Sequence, residues 1–323
     1  MNTIYIGNTD HDWYRFLAQQ GDLDEINFWR PSAQHAFRVL RQGELFLFRL
    51  KSPINMIAGG GWFEWSDRLP LSAAWEFFGR GNGVATQGEL LAAIERYRRR
   101  PITSPHVDEI GNIILGAPFF FDRADWISLP AGWPMNVVQG KSYSVDSVPG
   151  RMLLNAVTER LSHMLGHTLD DEVVRSGMQR AREHPGPYEV AGGKVAAMSM
   201  RRIGQGAFRG IVLQTYERRC ALTGGKVLPV LEAAHIMPFA RGGEHHITNG
   251  ILMRSDVHAL FDLGYLTVTP EHRILASAKL KDEFNNGDDY RRLHGHTIWL
   301  PSDEARRPKR DLLAWHGDTV FRG

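Results

Sequence analysis

A long interruption of the apolar pattern, from about Pro149 to Gly193, divides this chain before any single element is assigned. A helical stretch at Met152–His163 runs into His184-Pro185-Gly186-Pro187, and Ala191-Gly192-Gly193-Lys194 adds a second loose point. Proline lacks a backbone donor and glycine accepts almost any backbone angle, so one continuous core is not expected to cross such a segment. The 323 residues leave enough chain on each side for a domain with its own core. The expected organisation is a domain over 1–150, a helical linker over 151–193 and a second domain over 194–323.

The first of these reads as mixed α and β. Ile4–Ile6 is a short strand, and Asp10–Gln20 has the polar start and apolar spacing of a helix. Glu25–Trp29 follows, then a helical stretch over Ala33–Leu40. The run Leu45-Phe46-Leu47-Phe48 inside Glu44–Lys51 predicts a buried strand, and Met56–Trp65 and Ile110–Leu115 predict two more. Trp75–Phe78 and Gly88–Arg100 read as helices. Gly79-Arg80-Gly81-Asn82-Gly83 lacks the Lys-Ser/Thr ending of a phosphate loop and reads as a turn.

Composition excludes several classes. No stretch approaches 18 uninterrupted apolar residues, and the start MNTIYIGNTDHDW has no basic region followed by an apolar run, so neither a membrane span nor a secretory signal is expected. Cys220 is the single cysteine, which rules out an internal disulfide and a structural four-cysteine zinc and fits a cytoplasmic location. The formal net charge of +2 hides an uneven distribution. Residues 1–150 carry 14 Lys+Arg against 16 Asp+Glu, while residues 175–226 carry ten basic residues against three acidic ones. Arg201, Arg202, Arg209, Arg218 and Arg219 in that segment are candidate phosphate contacts, with a solvated helix face as the competing reading.

The block that carries chemistry runs from Tyr216 to Thr269. It reads Leu231-Glu232-Ala233-Ala234-His235-Ile236, then Thr248-Asn249-Gly250-Ile251-Leu252, then Val257-His258-Ala259-Leu260-Phe261-Asp262. A strand ending at His235, a glycine-rich loop, a strand near Ile251 and a helix over Asp256–Leu263, with Ser255 as N-cap, make a ββα unit. Phosphodiester hydrolysis needs a base for water, and imidazole titrates near working pH. It also needs a divalent cation against the charge that builds on the phosphate. His258 and Asp262 stand four apart and share a helix face, where they can hold that ion together. An Asn amide can brace the loop or orient the base.

This block resembles the HNH (His-Asn-His) endonuclease superfamily, in particular its predicted restriction-endonuclease branch with a Leu-Glu-Ala-Ala-His-Ile signature and a His-x-x-Phe-Asp helix. The resemblance reaches back through Arg202–Arg209 and Arg219–Gly224 and on to Ala314-Trp315-His316. It implies that His235 is the general base, Asn249 the orienting residue, and His258 and Asp262 ligands of Mg²⁺ or Mn²⁺. Many members carry an Asp or His immediately before the base, where this chain has Ala234. Side chains two apart on a strand share a face, so Glu232 is the substitute ligand to test.

The order of elements around Trp29–Ile57 resembles the PUA-like superfamily, which includes the EVE and YTH modules, through a Trp…Gly-Glu-x-x-x-Phe…Ile-x-Gly pattern. That resemblance implies a mixed β-barrel that holds RNA or a modified base in an aromatic cage, with Trp29 and Trp62 as walls and Ser32 and Asn55 as edge readers. Ordinary core is the competing reading for each. The whole chain then reads as an α+β protein, a PUA-like reader joined to a ββα-metal nuclease. It is expected to act on double-stranded, modified DNA, modified cytosine first among the candidates. Two alternatives stay open: an HNH nuclease with plain sequence or structure recognition, and a reader whose nuclease has decayed. One active site per chain suits nicking by a single copy or double-strand cutting by a homodimer.

Overall fold

A computed structural model describes residues 3–21, 23–32, 34, 37–134, 137–165, 205–238, 241–243 and 246–323. The chain divides into two compact units, Met1–Ala207 and Phe208–Gly323. Among the described residues no helix is long and apolar enough to cross a membrane.

The first unit is organised by a seven-stranded mixed sheet. In chain order its strands are β1 (Thr3–Thr9), β2 (Glu25–Asn27), β3 (Leu45–Leu50), β4 (Met56–Pro70), β5 (Glu109–Phe120), β6 (Ile127–Ser128) and β7 (Gly140–Ser144). The spatial order is β2-β5-β4-β3-β1-β7, with β6 on β4. Only β1 and β3 run parallel; the other ladders are antiparallel. The path ends on β2 and β7, and among the described residues no ladder joins these ends, so the expected barrel is an open sheet here.

Both faces of that sheet are covered, which is why β3 reads as an unbroken apolar run. On one face Ile4, Ile6, Leu45, Leu47, Trp62 and Phe119 form a core. On the other, Tyr5, Phe46, Phe48, Phe63, Ile113 and Leu115 form a second. The alternation Leu45/Phe46/Leu47/Phe48 therefore sorts residues by face, as a period of two requires. Helix α1 (His11–Ala18) closes the second core with Trp13, Tyr14 and Leu17, and Asp10 caps it by accepting from the amides of Asp12 (2.9 Å) and Trp13 (3.3 Å). Helices α2 (Leu71–Phe78) and α3 (Gln87–Arg98) follow β4.

Three sequence expectations change here. The described residues of Ala33–Leu40 are not helical. The helix in the expected linker, α4 (Val148–Leu165), sends Leu153, Leu154, Val157 and Leu161 into the first core, so its apolar stripe belongs to that unit's packing. The run Gly59-Gly60-Gly61 answers to strand packing rather than to a ligand. A Cβ on Gly59 would lie 2.3 Å from the Phe119 carbonyl oxygen, and one on Gly60 2.5 Å from that of Phe46, so the glycines let β4 pass between β3 and β5.

The second unit begins with most of helix α5 (Gln205–Thr215) and contains two hairpins and further short helices. Strands β8 (Leu231–His235) and β9 (Gly250–Arg254) pair antiparallel and lead directly into α6 (Ser255–Asp262). Strands β10 (Leu266–Val268) and β11 (Ile274–Ala276) pair antiparallel as a second hairpin. Lone Cys220 is buried, and its sulfur accepts from the amides of Thr223 (3.4 Å) and Arg254 (3.3 Å), pinning the turn before β8 to the end of β9.

Candidate active site

The β8–β9 ladder sets the register of the second unit's site: His235 lies opposite Gly250, and Ala234 opposite Ile251. Alternation puts Glu232 and Ala234 on one face of β8 and His235 on the other. Ala234 is fully buried, whereas Glu232, nearer the open end of the strand, reaches α6. On α6, Val257 and Phe261 anchor the helix in the core, which turns His258 and Asp262 to a less buried side. Arg254, not Ser255, occupies the N-cap position, and its guanidinium forks onto Asp256 in the first helical turn at 2.5 and 2.6 Å.

These elements give His258 a carboxylate on each ring nitrogen. Nδ1 lies 2.6 Å from Glu232 Oε2, and Nε2 lies 3.3 Å from Asp262 Oδ2. Burial holds the Asp262 carboxyl above its ordinary value, opposed by His258 and reinforced by Glu232. Two carboxylates on one imidazole leave a local excess of negative charge, which a divalent cation would neutralise. The donor set fits an ion bound by His258 Nε2 and Asp262, completed by water as is usual for Mg²⁺. Glu232 faces the other ring nitrogen, Nδ1. A carboxylate there fixes the tautomer and orientation of a ligating histidine without touching the metal. Among the described residues no group of three or more His, Cys, Asp or Glu side chains converges on one point.

Asn249 is buried and braces the loop. Its Oδ1 accepts from the Met237 amide at 2.9 Å, its Nδ2 donates to the Met237 carbonyl at 3.0 Å, and its own carbonyl accepts from Ile236 at 2.9 Å. These bonds act on Ile236 and Met237, the two residues that follow His235. Gly243 belongs to the same brace: a Cβ there would lie 1.8 Å from the Met237 oxygen. The His235 ring stacks on Phe208 of α5, with centroids 4.0 Å apart and planes 13° apart.

Arg201 and Arg202 lie outside the described residues. Arg209 is half-buried on α5, Arg218 (φ 55°) sits in the left-handed turn that ends this helix, and the Arg219 guanidinium packs 5.4 Å from the Trp299 ring centroid.

In the first unit a cavity of about 950 Å³ opens beside the second core. Trp29 and Ser32 line it; Trp62 and Asn55 do not. Trp62 is fully buried on the opposite face of the sheet against Phe119, and Asn55 accepts from Arg49 at 2.7 Å. The walls that sequence reasoning missed are Tyr5, Trp13, Phe28 and Tyr97. Their polar centre is Asp10, which accepts from the Tyr97 hydroxyl as well as capping α1. Burial alone would raise the Asp10 pKa, but the Tyr97 hydroxyl and the Trp13 and Asp12 amides outweigh it and hold the carboxyl low. Tyr97 is pushed up to about 12 by burial and by that carboxylate.

Trp29 is held by the glycine-rich turn, because its Nε1 donates to the Asn82 carbonyl at 2.9 Å. Asn82 is itself buried and bonded to Asn27, Ala74 and Gly79. Gly83 (φ 79°) follows, where a Cβ would lie 2.0 Å from the Trp13 ring. The turn at Gly79–Gly83 thus positions two cavity walls.

Comparison with known proteins bears on the second unit. Residues 220–269 match a family model described as HNH endonuclease. No curated protein matches the chain. Among solved structures, a mutant of the ZmASCH protein from Zymomonas mobilis is similar at a TM-score of 0.33 and 8% identity, covering 47% of this chain and 96% of that one. A structure described as the modification dependent TagI restriction endonuclease is similar at a TM-score of 0.30 and 11% identity, covering 98% of this chain and 81% of that one. At such TM-scores neither likeness fixes fold or activity. The matched segment holds Glu232 and His235 on β8, Asn249 just before β9, and His258 and Asp262 on α6, and over this segment the chain is similar to HNH endonucleases.

Proposed function

We propose that the protein is a metal-dependent DNA endonuclease whose first unit captures a modified base and whose second unit hydrolyses phosphodiester bonds nearby. The observation that carries the nuclease half is His258 between Glu232 and Asp262, on the helix that follows β9, the strand paired with the one that ends in His235. In this reading His258 and Asp262 would hold Mg²⁺ or Mn²⁺, and that ion would supply the positive charge that offsets the negative charge on the phosphate and the leaving oxygen. Glu232 holds the His258 ring, His235 takes the proton of the attacking water, and Asn249 keeps the loop behind His235 in place. The reader half rests on the cavity, where Trp29, Trp13 and Tyr97 offer aromatic faces and Asp10 a fixed acceptor to an extruded base.

A second reading, plain backbone recognition by the same unit, is favoured by one observation. Arg30, Lys51, Arg68, Arg98 and Arg100 line the cavity against only Asp10 and Glu109, in a unit whose first 150 residues carry an acidic excess. One experiment separates the two. Otherwise identical duplexes carrying unmodified, methylated or hydroxymethylated cytosine, or methylated adenine, are digested with Mg²⁺ or Mn²⁺ and with chelator. The proposal expects cleavage of one modified substrate, abolished by chelator. Equal cleavage of all substrates removes the modified-base reader and leaves the backbone reading. Full cleavage in chelator overturns the metal assignment.

A further inference from the structure

Phe208 stands one residue inside the second unit, fully buried, and its ring lies parallel to the imidazole of His235. The contact is made possible by a glycine. Gly250 is the register partner of His235, and a Cβ on it would lie 3.0 Å from Phe208 Cζ and 2.6 Å from Val212 Cγ2. With hydrogen at that position, α5 settles onto the β8–β9 ladder closely enough for Phe208 to cover one face of the imidazole. Helix α5 is fixed from its other end as well, since the Tyr216 hydroxyl donates to the Gly250 carbonyl at 3.3 Å.

An imidazole at the end of a strand has free rotation about χ2 unless something sets its plane, since that torsion is broad. A general base is useful only when its lone pair points at the proton it takes, and a misplacement of about 1 Å can cost on the order of 100-fold. The Asn249 brace fixes the chain that follows His235. A flat aromatic face at 4.0 Å and 13° acts on the plane of the His235 ring itself, at the cost of no hydrogen-bonding position on either ring nitrogen.

From these contacts we infer that Phe208 is a positioning residue for His235, and that Gly250 is the complementary vacancy that lets it act. The inference rests on the reading of His235 as the general base, and it adds a residue from outside the His-Asn-His segment to the machinery. Neither Phe208 nor Gly250 touches the substrate in this reading; both act through the plane of one ring.

The test uses the full chain. Phe208→Leu keeps apolar volume and removes the flat face; Gly250→Ala leaves Phe208 in the sequence and pushes it off the imidazole. Both are expected to bind duplex DNA with unchanged KM while kcat falls by about 10- to 100-fold. His235→Ala in the same assay tells failures apart: if it retains turnover, the base assignment fails, and if it is dead while folded Phe208→Leu keeps wild-type kcat, only the inference about Phe208 fails. Should either variant lose its fold, the wild-type chain still decides. The carbon-bound ring protons of His235 must show the upfield NMR displacement of protons held over an aromatic face. Resonances at unstacked histidine positions would overturn the proposal whatever the kinetics show.

Discussion

In the second unit the residues proposed to hold the ion, take the proton and brace the loop fall between Glu232 and Asp262, on one hairpin and the helix that follows it. In the first unit the cavity is lined by residues from as far apart as Tyr5 and Gln139. The two sites also differ in what surrounds the working groups. His258 is ringed by carboxylates on a partly exposed helix face. Asp10 is tied to a helix N-terminus and a tyrosine among aromatic walls. A site assembled by one local ladder leaves its signature in residue spacing. One assembled by the order of strands in a sheet leaves residues whose partners are set only by the fold.

The largest effects fall on the local site. His235→Ala is expected to lower cleavage by about 10²- to 10⁴-fold, the usual contribution of a general base, with DNA binding retained. Within the same site the roles divide. Asp262→Ala and His258→Ala should remove metal-dependent turnover, while Glu232→Gln, acting from behind the imidazole, should cost about 10- to 100-fold in metal affinity or rate. Titration of Mn²⁺ by calorimetry beside single-turnover cleavage reads both quantities. A Glu232→Gln chain as dead as Asp262→Ala would return Glu232 to the set of direct ligands.

Next in size is a contrast between two tryptophans of the first unit. Trp62 is fully buried among Leu45, Leu47 and Phe119, and Trp62→Ala is expected to cost about 3–5 kcal/mol of stability, as large aromatic truncations do. Trp29 lines the cavity and remains partly exposed, so Trp29→Ala should cost far less stability. It should instead lower preference for the captured base by about 5- to 150-fold, from a stacking contribution of roughly 1–3 kcal/mol. Denaturant unfolding and binding to matched modified and unmodified duplexes check the pair. Loss of base preference in a stable Trp62→Ala chain would put the reading surface on the other face of the sheet.

How much of this was legible in sequence follows from the same difference. The spacing of His235, Asn249, His258 and Asp262 placed a ββα unit whose strands and helix appear within a residue or so of the expected bounds. What spacing could not show was which ring nitrogen Glu232 would face, or that the Asn249 amide would close on Met237. Those depend on side-chain direction rather than on element type. In the first unit β1, β3, β4, β5 and α3 were legible from apolar runs and periodicity, but their order was not. The PUA-like resemblance makes Trp62 a cage wall, and three glycines precede it in the sequence. The glycines admit neighbouring strands instead, and the tryptophan fills the core behind them. Tyr5 and Trp13 looked like ordinary strand and helix core residues, and nothing local marked them as cavity lining. Asp10 was visible as the start of a helix; only the fold brings Tyr97 to it.

The smallest predicted effect separates the units by pH. In the first, burial and the nearby Glu25 hold Glu64 at about 8, while the Gln42 side chain donates to it at 3.3 Å without reversing that shift. A carboxyl whose folded pKa is raised keeps its proton in the native state after the unfolded chain has lost it. Its contribution is therefore complete below about 4.5 and is lost as pH rises through about 8. In the second unit His316 is buried, stacked on Phe261 at 3.7 Å and bonded through Nδ1 to Thr267 at 2.8 Å, and burial depresses it to about 4. A depressed histidine has the opposite sign along the pH axis: its contribution is complete above about 6.5 and is lost as pH falls through about 4. Alkaline solution should therefore loosen the first unit and acid the second, and acid should reach α6 through Phe261. Each kcal/mol moves a midpoint by about 2–8 °C across units of these two sizes, so the expected shifts are several degrees. Hydrogen exchange, resolved by peptide and run between pH 5 and pH 8.5 with correction for intrinsic rates, assigns the loosening to one unit or the other. Glu64→Gln should flatten the alkaline limb only, and His316→Gln the acid limb only. If both units loosen together at both extremes, or if the glutamine variants titrate like the parent chain, the two cores do not differ in the way their buried groups require.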